Sequence, residues 1–263
     1  MPLIDPAQLR PLLTASAGRF DVDALDEIDS TNSEVMRRGD AGAPSGLVIV
    51  ADRQTAGRGR RGRSWISAPE DSLTFSLLWR FPGTATQLSG LSLAVGVAIA
   101  SALDVLGAEG LALKWPNDVL LQTADGDAKL GGILVELSSD RRGTLAVIGI
   151  GLNLRAPTGE LMHPAAGLEQ AFAVLPDRHV LLAAILQSLA DVLDRFAAHG
   201  FAAVQAEWQY RHAWQGKPVA LLENGTVQLQ GICRGADADG ALLIETASGT
   251  ERCLAGDLSL RPA

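Results

Sequence analysis

The sequence predicts an α+β chain in which helices and strands share the first 214 residues and short strands alone occupy the rest. Three observations carry this prediction. Residues 46–52 (GLVIVAD), 72–81 (SLTFSLLWRF) and 144–154 (TLAVIGIGLNL) are apolar runs of strand length. Residues 86–106 and 177–199 repeat apolar side chains at helical spacing. From Gly216 onward the chain turns to short strands punctuated at Asn224-Gly225, 237–240 and Ser248-Gly249, which predicts a small β-barrel over 215–263 behind a larger domain over 1–214.

Taken in order, TNSEVMRRG (31–39) has the spacing of a capping box at Thr31 and Glu34 and predicts a short helix closed by Gly39. GLVIVAD then reads as a buried strand feeding an arginine-rich loop, and SLTFSLLWRF as the strand after it. Leu88, Leu91, Val95, Ile99 and Leu103 fall on one helical face. Strands follow at 110–115, 131–137 and 144–154, the last two joined by the polar stretch 138–143 as a hairpin. Beyond Asn153 the pattern loosens over 155–170, a candidate mobile loop. Helical periodicity returns over 177–199 and, past Gly200, over 201–214.

With 263 residues, 47% hydrophobic and 20% charged, the chain has the composition of a globular protein with a sizeable core. Asp5 and the prolines at 2, 6 and 11 break any secretion-signal pattern. Residues 85–103 carry no charge, but their Ser, Gly, Ala and Thr content reads as a core helix rather than a membrane span. Cys233 and Cys253 are too few for a disulfide framework. These features predict a cytoplasmic protein without a membrane partner. A net charge of -8 and a pI near 5.0 disfavour general polyanion binding.

Against that acidic balance, QTAGRGRRGRSW (54–65) places four arginines among three glycines. Like charges on flexible backbone order only around an anion. Gly57, Gly59 and Gly62 satisfy the dinucleotide fingerprint GxGxxG, yet Trp65, Pro69 and a strand follow where the fingerprint needs a helix and then an acid. An RNA-binding arginine-glycine segment would come in several copies on a basic domain, and here there is one. A solvated surface loop is the ordinary fate of such a charge run, and three further segments outweigh it: STN (30–32), KWPND (114–118) and KLGGILVEL (129–137).

With GRGRRGRSW, these segments resemble the biotin protein ligase family across nearly the whole chain. The resemblance implies a class II synthetase-like catalytic domain with a mixed sheet flanked by helices, and a C-terminal SH3-like β-barrel. It implies a two-step reaction: biotin is joined to ATP as biotinyl-5'-AMP, then passed to a lysine of the biotin carboxyl carrier protein of acetyl-CoA carboxylase. ATP, biotin and Mg2+ are the implied ligands, and the chain would act as a monomer or homodimer. Some members also bind DNA through an N-terminal helix-turn-helix. Only 29 residues precede STN here, so no DNA binding is expected. A lipoate-type ligase of the same fold and a non-catalytic anion- or nucleic-acid-binding module are the alternative readings.

The resemblance also implies roles. Arg58, Arg60, Lys129 and Asp118 are the expected catalytic residues, a planar guanidinium being suited to bidentate grip on carboxylate or phosphate. Biotin is expected against Ser30, Thr31, Asn32, Gln54, Gly57, Arg58, Gly59, Arg60, Trp65, Lys129, Gly131 and Gly132. The nucleotide is expected against Arg58, Arg60, Arg61, Trp65, Asn117, Lys129 and Asn153. Pro116 ends a strand and leaves Asn117 and Asp118 at a turn. Asp118 either holds magnesium through water or orients the incoming lysine, and Asn117 bonds either ligand or neighbouring backbone. Arg61 and Arg63 either hold the loop or stay solvated, and Trp65 serves as an apolar stop or a core residue. One of Ser30, Thr31 and Asn32 caps a helix. His163, His179, His199 and His212 are scattered and read as structural or exposed.

Overall fold

The computed structural model describes residues 1–158, 164–256 and 258–263. Helix α1 (Pro6–Leu12) starts at the Asp5 cap and precedes strand β1 (Asp21–Ile28), neither of which stands out in the sequence. No residue of β1 is fully buried, because the strand lies at a sheet edge and carries Asp21, Asp23, Asp26 and Glu27. Helix α2 (Thr31–Asp40) follows. Its cap is Ser30, not Thr31, and it runs one residue beyond Gly39. Glu34 takes no part in a capping box and instead pairs with Arg37 and Arg38.

Strands β2 (Leu47–Gln54) and β3 (Ser72–Phe81), helix α3 (Leu91–Val105), strands β4 (Leu111–Lys114), β5 (Asp118–Thr123), β6 (Gly126–Asp140) and β7 (Gly143–Asn153) complete the main sheet. Its order is β1-β2-β3-β7-β6-β5-β4. Only β1 and β2 pair in parallel, so the sheet is mixed. Residues 47–51 of β2 and 145–152 of β7 read as unbroken apolar runs because helices cover both faces there, whereas β3 is interrupted by Ser72, Thr74, Ser76 and Arg80. On one face α2 packs Val35 against Ile49, Leu78 and Val147. On the other lie α3 and α4 (Arg178–His199), in the larger core.

The run 86–106 is not one helix: Ala85–Leu88 forms a 3-10 turn, and Ser89 and Gly90 separate it from α3. The stretch Ala85–Val105 is apolar enough to cross a membrane, but 67% of its most apolar window is buried inside the protein. The hairpin expected between 131–137 and 144–154 is present and longer, β6 and β7 meeting at a two-residue turn after Asp140. The helix expected over 201–214 is a 3-10 turn at Phe201–Ala203 followed by the shorter α5 (Gln205–Arg211).

A second, five-stranded antiparallel sheet holds β8 (Pro218–Glu223), β9 (Thr226–Ala236), β10 (Leu242–Thr246), β11 (Gly249–Cys253) and β12 (Leu258–Pro262), in the order β11-β10-β9-β8-β12. The linker is bonded at both ends. Ala213 N donates to Leu113 O at 2.9 Å, covering the β4 edge, and Gly216 N donates to Cys233 O at 2.8 Å.

Between these bonds sits His212, buried and stacked on Trp208 with 4.5 Å between ring centres. Its Nδ1 donates to Leu113 O at 3.1 Å, and Nε2 faces the Cys233 thiol at 3.2 Å. Burial pushes its pKa down to about 4, with the Leu113 carbonyl opposing. The folded chain therefore keeps this imidazole neutral where the unfolded chain, with an ordinary pKa near 6.5, takes up a proton. Stability falls as pH drops from 6.5 towards 4 and is flat in this respect above 6.5. We expect a loss of about 2–3 kcal/mol between pH 7 and pH 4.5 from this group. Urea unfolding at both pH values, compared with His212→Gln, isolates it: the variant should lack that part of the slope.

Candidate active site

The site is built on one row of the sheet. Register aligns Lys114 of β4 with Asp118 of β5, Asp118 with Gly132 of β6, Gly132 with Gly151 of β7, and Gly151 with Thr74 of β3. With strands about 4.8 Å apart, that row spans about 19 Å. Its central members have no side chain, so a trough opens on the α2 face between Thr74 and the Lys114–Asp118 end. The Trp65 indole roofs it: a Cβ on Gly151 would lie 2.3 Å from Cε2 of that ring. In the next row Ser76 faces Gly149, and a Cβ there would meet the Asn32 side chain at 2.1 Å. The resulting cavity measures ≈470 Å³.

At one end stands a triad of charges. The β4–β5 hairpin makes Asp118 the first residue of a strand rather than part of a turn, directly opposite Lys114. Its carboxylate lies 2.7 Å from Lys114 Nζ and 2.6 Å from Lys129 Nζ. Burial alone would raise the Asp118 pKa; the two ammonium groups outweigh it and hold the carboxyl well below the usual range. Burial lowers the Lys114 pKa against the attraction of Asp118. The Trp214 ring covers Lys114 at 5.5 Å and donates its Nε1 to Asp127 at 2.8 Å. Lys114 and Lys129, with Arg60 and Arg261 of the cavity lining, outnumber Asp118 and Asp127 and leave this end of the trough net positive.

Lys129 lies within β6, not ahead of it. Its backbone is flanked by the 164–166 segment, with N donating to Pro164 O and O accepting from Ala166 N. Asn153, the last residue of β7, donates to Lys129 O and Ala166 O and is buried there. It steadies the backbone of Lys129 and does not line the cavity. Residues 159–163 of the candidate loop, with His163, lie outside the described residues.

The arginine loop folds back on itself. Gly59 N donates to Arg63 O, Trp65 N to Gly57 O, and Arg58 bridges to Ser64. A 3-10 turn at Arg60–Gly62 holds Arg61 at φ 63°. Three of its four arginines are drawn to protein groups. Arg58 forms a bidentate pair with Glu136 at 3.0 and 2.5 Å. Arg60 donates to Asn117 Oδ1 at 3.1 Å and to the Ala255 and Gly256 carbonyls. Arg61 donates to Asn224 of the second sheet. Asn117 also bonds backbone, its Nδ2 donating to Ile133 O at 2.8 Å, while it lines the cavity.

At the opposite end is a polar cluster. Ser30 caps α2, which turns Thr31 and Asn32 inward; all three are buried. Gln54 Oε1 accepts from Thr31 N at 2.8 Å and from its hydroxyl at 3.1 Å. The Ser76 hydroxyl lies 2.7 Å from Thr31 Oγ1 and 2.5 Å from Asn32 Oδ1, and Asn32 Nδ2 donates to Glu136 at 2.9 Å. Two cavity-lining polar atoms, Thr74 Oγ1 and Trp65 Nε1, are buried with no protein partner. Orphaned groups of that kind cost about 1–3 kcal/mol each unless a ligand meets them.

Most of the expected site residues therefore converge on this cavity; Gly57, Gly131 and Asn153 do not line it. Gly57 lies in a second cavity of ≈580 Å³ behind the same loop. Sequence reasoning missed Lys114, Thr74, Ser76, Glu136, Trp214 and Arg261, all but Ser76 and Glu136 lining the main cavity. Thr74 and Ser76 could have been found, since two polar residues at i and i+2 in an apolar strand mark one face. Arg261 could not, because it comes from the second sheet. His212 and His179 serve structure and His199 is exposed: His179 Nε2 accepts from Asp5 N, and its Nδ1 meets Asp177.

Comparison with known proteins agrees with this arrangement. The biotin/lipoate A/B protein ligase family matches residues 25–153, and the biotin protein ligase C-terminal domain matches 216–261. The bifunctional ligase/repressor BirA of Escherichia coli is 37% identical, over 92% of this chain and 74% of that protein. The biotin–acetyl-CoA-carboxylase ligase of Paracoccus denitrificans is 35% identical, over 86% and 95% respectively. Biotin protein ligase from Aquifex aeolicus, solved in complex with biotin and ATP, superposes with a TM-score of 0.78 at 32% identity, covering 92% of this chain and 99% of that one. Sequence relatives, matched domains and shared fold together show that the chain belongs to the biotin/lipoate A/B protein ligase family.

Proposed function

We infer that this protein is a biotin protein ligase: it activates biotin with ATP as biotinyl-5'-AMP and transfers the biotinyl group to a lysine of a biotin carboxyl carrier protein. The observation that carries the reading is the trough itself, neutral and hydrogen-bonding at one end and cationic at the other. Biotin has that polarity, a neutral ureido ring and a carboxylate tail. The ring would meet the Thr31–Gln54–Ser76 cluster and the tail would pass beneath Trp65 towards Lys129.

In the first step a carboxylate oxygen forms a bond to the α-phosphorus of ATP and pyrophosphate leaves. Two unit negative charges about 4 Å apart repel by roughly 4 kcal/mol at an effective dielectric near 20. Lys129 and Lys114 offset this without moving, because Asp118 already holds them in place. Arg60 and Arg261 add positive charge from the loop and the second sheet. In the second step the acceptor amine attacks the biotinyl carbonyl, AMP leaves, and the amine gives up a proton. Only about one lysine in a thousand is neutral near pH 7.4, so the mixed anhydride carries most of the driving force.

The donor set does not fit a protein-held magnesium. Both Asp118 oxygens face lysines, and no group of three or more His, Cys, Asp or Glu side chains suited to a metal occurs among the described residues. ATP phosphates are the natural carriers of the metal. We read 1–214 as the catalytic, class II synthetase-like domain and 215–263 as the SH3-like barrel. The match over 216–261 and the five short antiparallel strands support the second assignment. Two unlinked cysteines and the use of ATP fit a cytoplasmic enzyme.

Mass spectrometry of an unmodified carrier domain incubated with enzyme, ATP and biotin tests the function. One biotinyl mass on one lysine is expected. A lipoyl mass gained from lipoate instead would make the chain a lipoate ligase, and ligand binding without any product would make it a binding module. Arg60→Ala removes a cation that ties the loop to Asn117 and to the second sheet. We expect it to release adenylate into solvent about tenfold faster, measured as free biotinyl-5'-AMP per carrier modified; unchanged release would remove the gripping role.

A further inference from the structure

We propose that Asn224 is a positioning residue through which the second sheet holds the arginine loop closed over the activated intermediate. This rests on the reading of the trough as an adenylate-forming site. The loop touches the second sheet at two separate turns. Arg60 Nη2 donates to Gly256 O at 2.7 Å and Ala255 O at 3.3 Å, on the connection between β11 and β12. Arg61 Nη2 donates to the side-chain oxygen of Asn224, in the two-residue turn between β8 and β9.

Adjacent arginines pointing to different turns fix both the position and the rotation of the loop, which one contact cannot do. The geometry at each end is costly to hold by chance. Arg61 sits at φ 63°, a left-handed conformation that disfavours long side chains, so something must retain it. Asn224 sits at φ 49° ahead of Gly225 at φ 83°, the conformation an Asn-Gly hairpin turn prefers. The turn is therefore rigid, and it presents its carboxamide to the guanidinium at a fixed place. The second sheet also lines the cavity with Arg261, so loop and sheet enclose the nucleotide end together.

Asn224→Gly keeps the positive φ and removes only the acceptor, which makes it a cleaner test than alanine. Two readouts apply to the full-length enzyme. Limited trypsin digestion without substrates should cleave at 58–63 about fivefold faster than in the parent, with cleavage elsewhere unchanged. The ratio of free biotinyl-5'-AMP to carrier modified should rise by a similar factor. Asn224→Asp, whose carboxylate also accepts from Arg61, should restore both. Faster cleavage spread along the chain would show a merely structural role and overturn the proposal. So would parental cleavage and parental leakage in Asn224→Gly alongside a leaking Arg60→Ala. Should the parent form no adenylate at all, the ligase reading fails, while digestion still reports whether Asn224 holds the loop.

Discussion

Replacing Lys129 by glutamine is expected to slow adenylate formation about 10³-fold while leaving the fold intact, as judged by a urea transition that stays cooperative near neutral pH though shifted to lower urea, because Asp118 keeps only Lys114. Glutamine keeps a donor of similar reach but removes the charge that lies where two anions must meet. The backbone of Lys129 is fixed independently by Pro164, Ala166 and Asn153, so a replacement side chain starts from the same place. The measurement is biotin-dependent exchange of labelled pyrophosphate into ATP. A fall of less than tenfold would mean that Lys114 or the arginines supply the charge and that Lys129 only pairs with Asp118.

Gly151→Ala is expected to weaken biotin binding by at least about 10²-fold. The new methyl group would lie within 2.3–2.7 Å of three indole atoms of Trp65, and a flat, half-buried ring cannot give way as a flexible chain can. The indole must lift, which opens the roof of the trough and breaks the lie of the arginine loop, whose Trp65 N is bonded to Gly57 O. Quenching of tryptophan fluorescence by added biotin measures this. Parental affinity in the variant would show that the ring is not part of the binding wall.

Much of this site was legible in the sequence because its motifs are local. GRGRRGRSW, STN and KWPND each fold as short units, and their chemistry shows in the residue types. What was hidden depends on register. Nothing local says that Gly132 and Gly151 stand side by side, or that Thr74 and Asp118 flank that glycine pair; only the strand order does. The same holds for Glu136, which reads as an ordinary strand residue until Arg58 and Asn32 reach it from two other elements. Element ends were misjudged where a side chain competes with the backbone. Ser30 displaced Thr31 as cap because Thr31 is occupied by Gln54. β1 escaped notice because an edge strand need not be apolar, and α5 is shorter than expected because the chain must leave it for His212 and the linker.

That first strand has a wider effect. A sheet this apolar would offer its rim as a template on which foreign or neighbouring chains could extend it, but the rim carries hydrated charges, Asp23 paired with Arg38, Glu27 with Arg53 and Asp26 with the amino terminus, which an added strand would have to strip of water. The far rim is shut by the linker through Leu113 and Ala213. Charged side chains thus stand where uncontrolled growth of the sheet would otherwise begin.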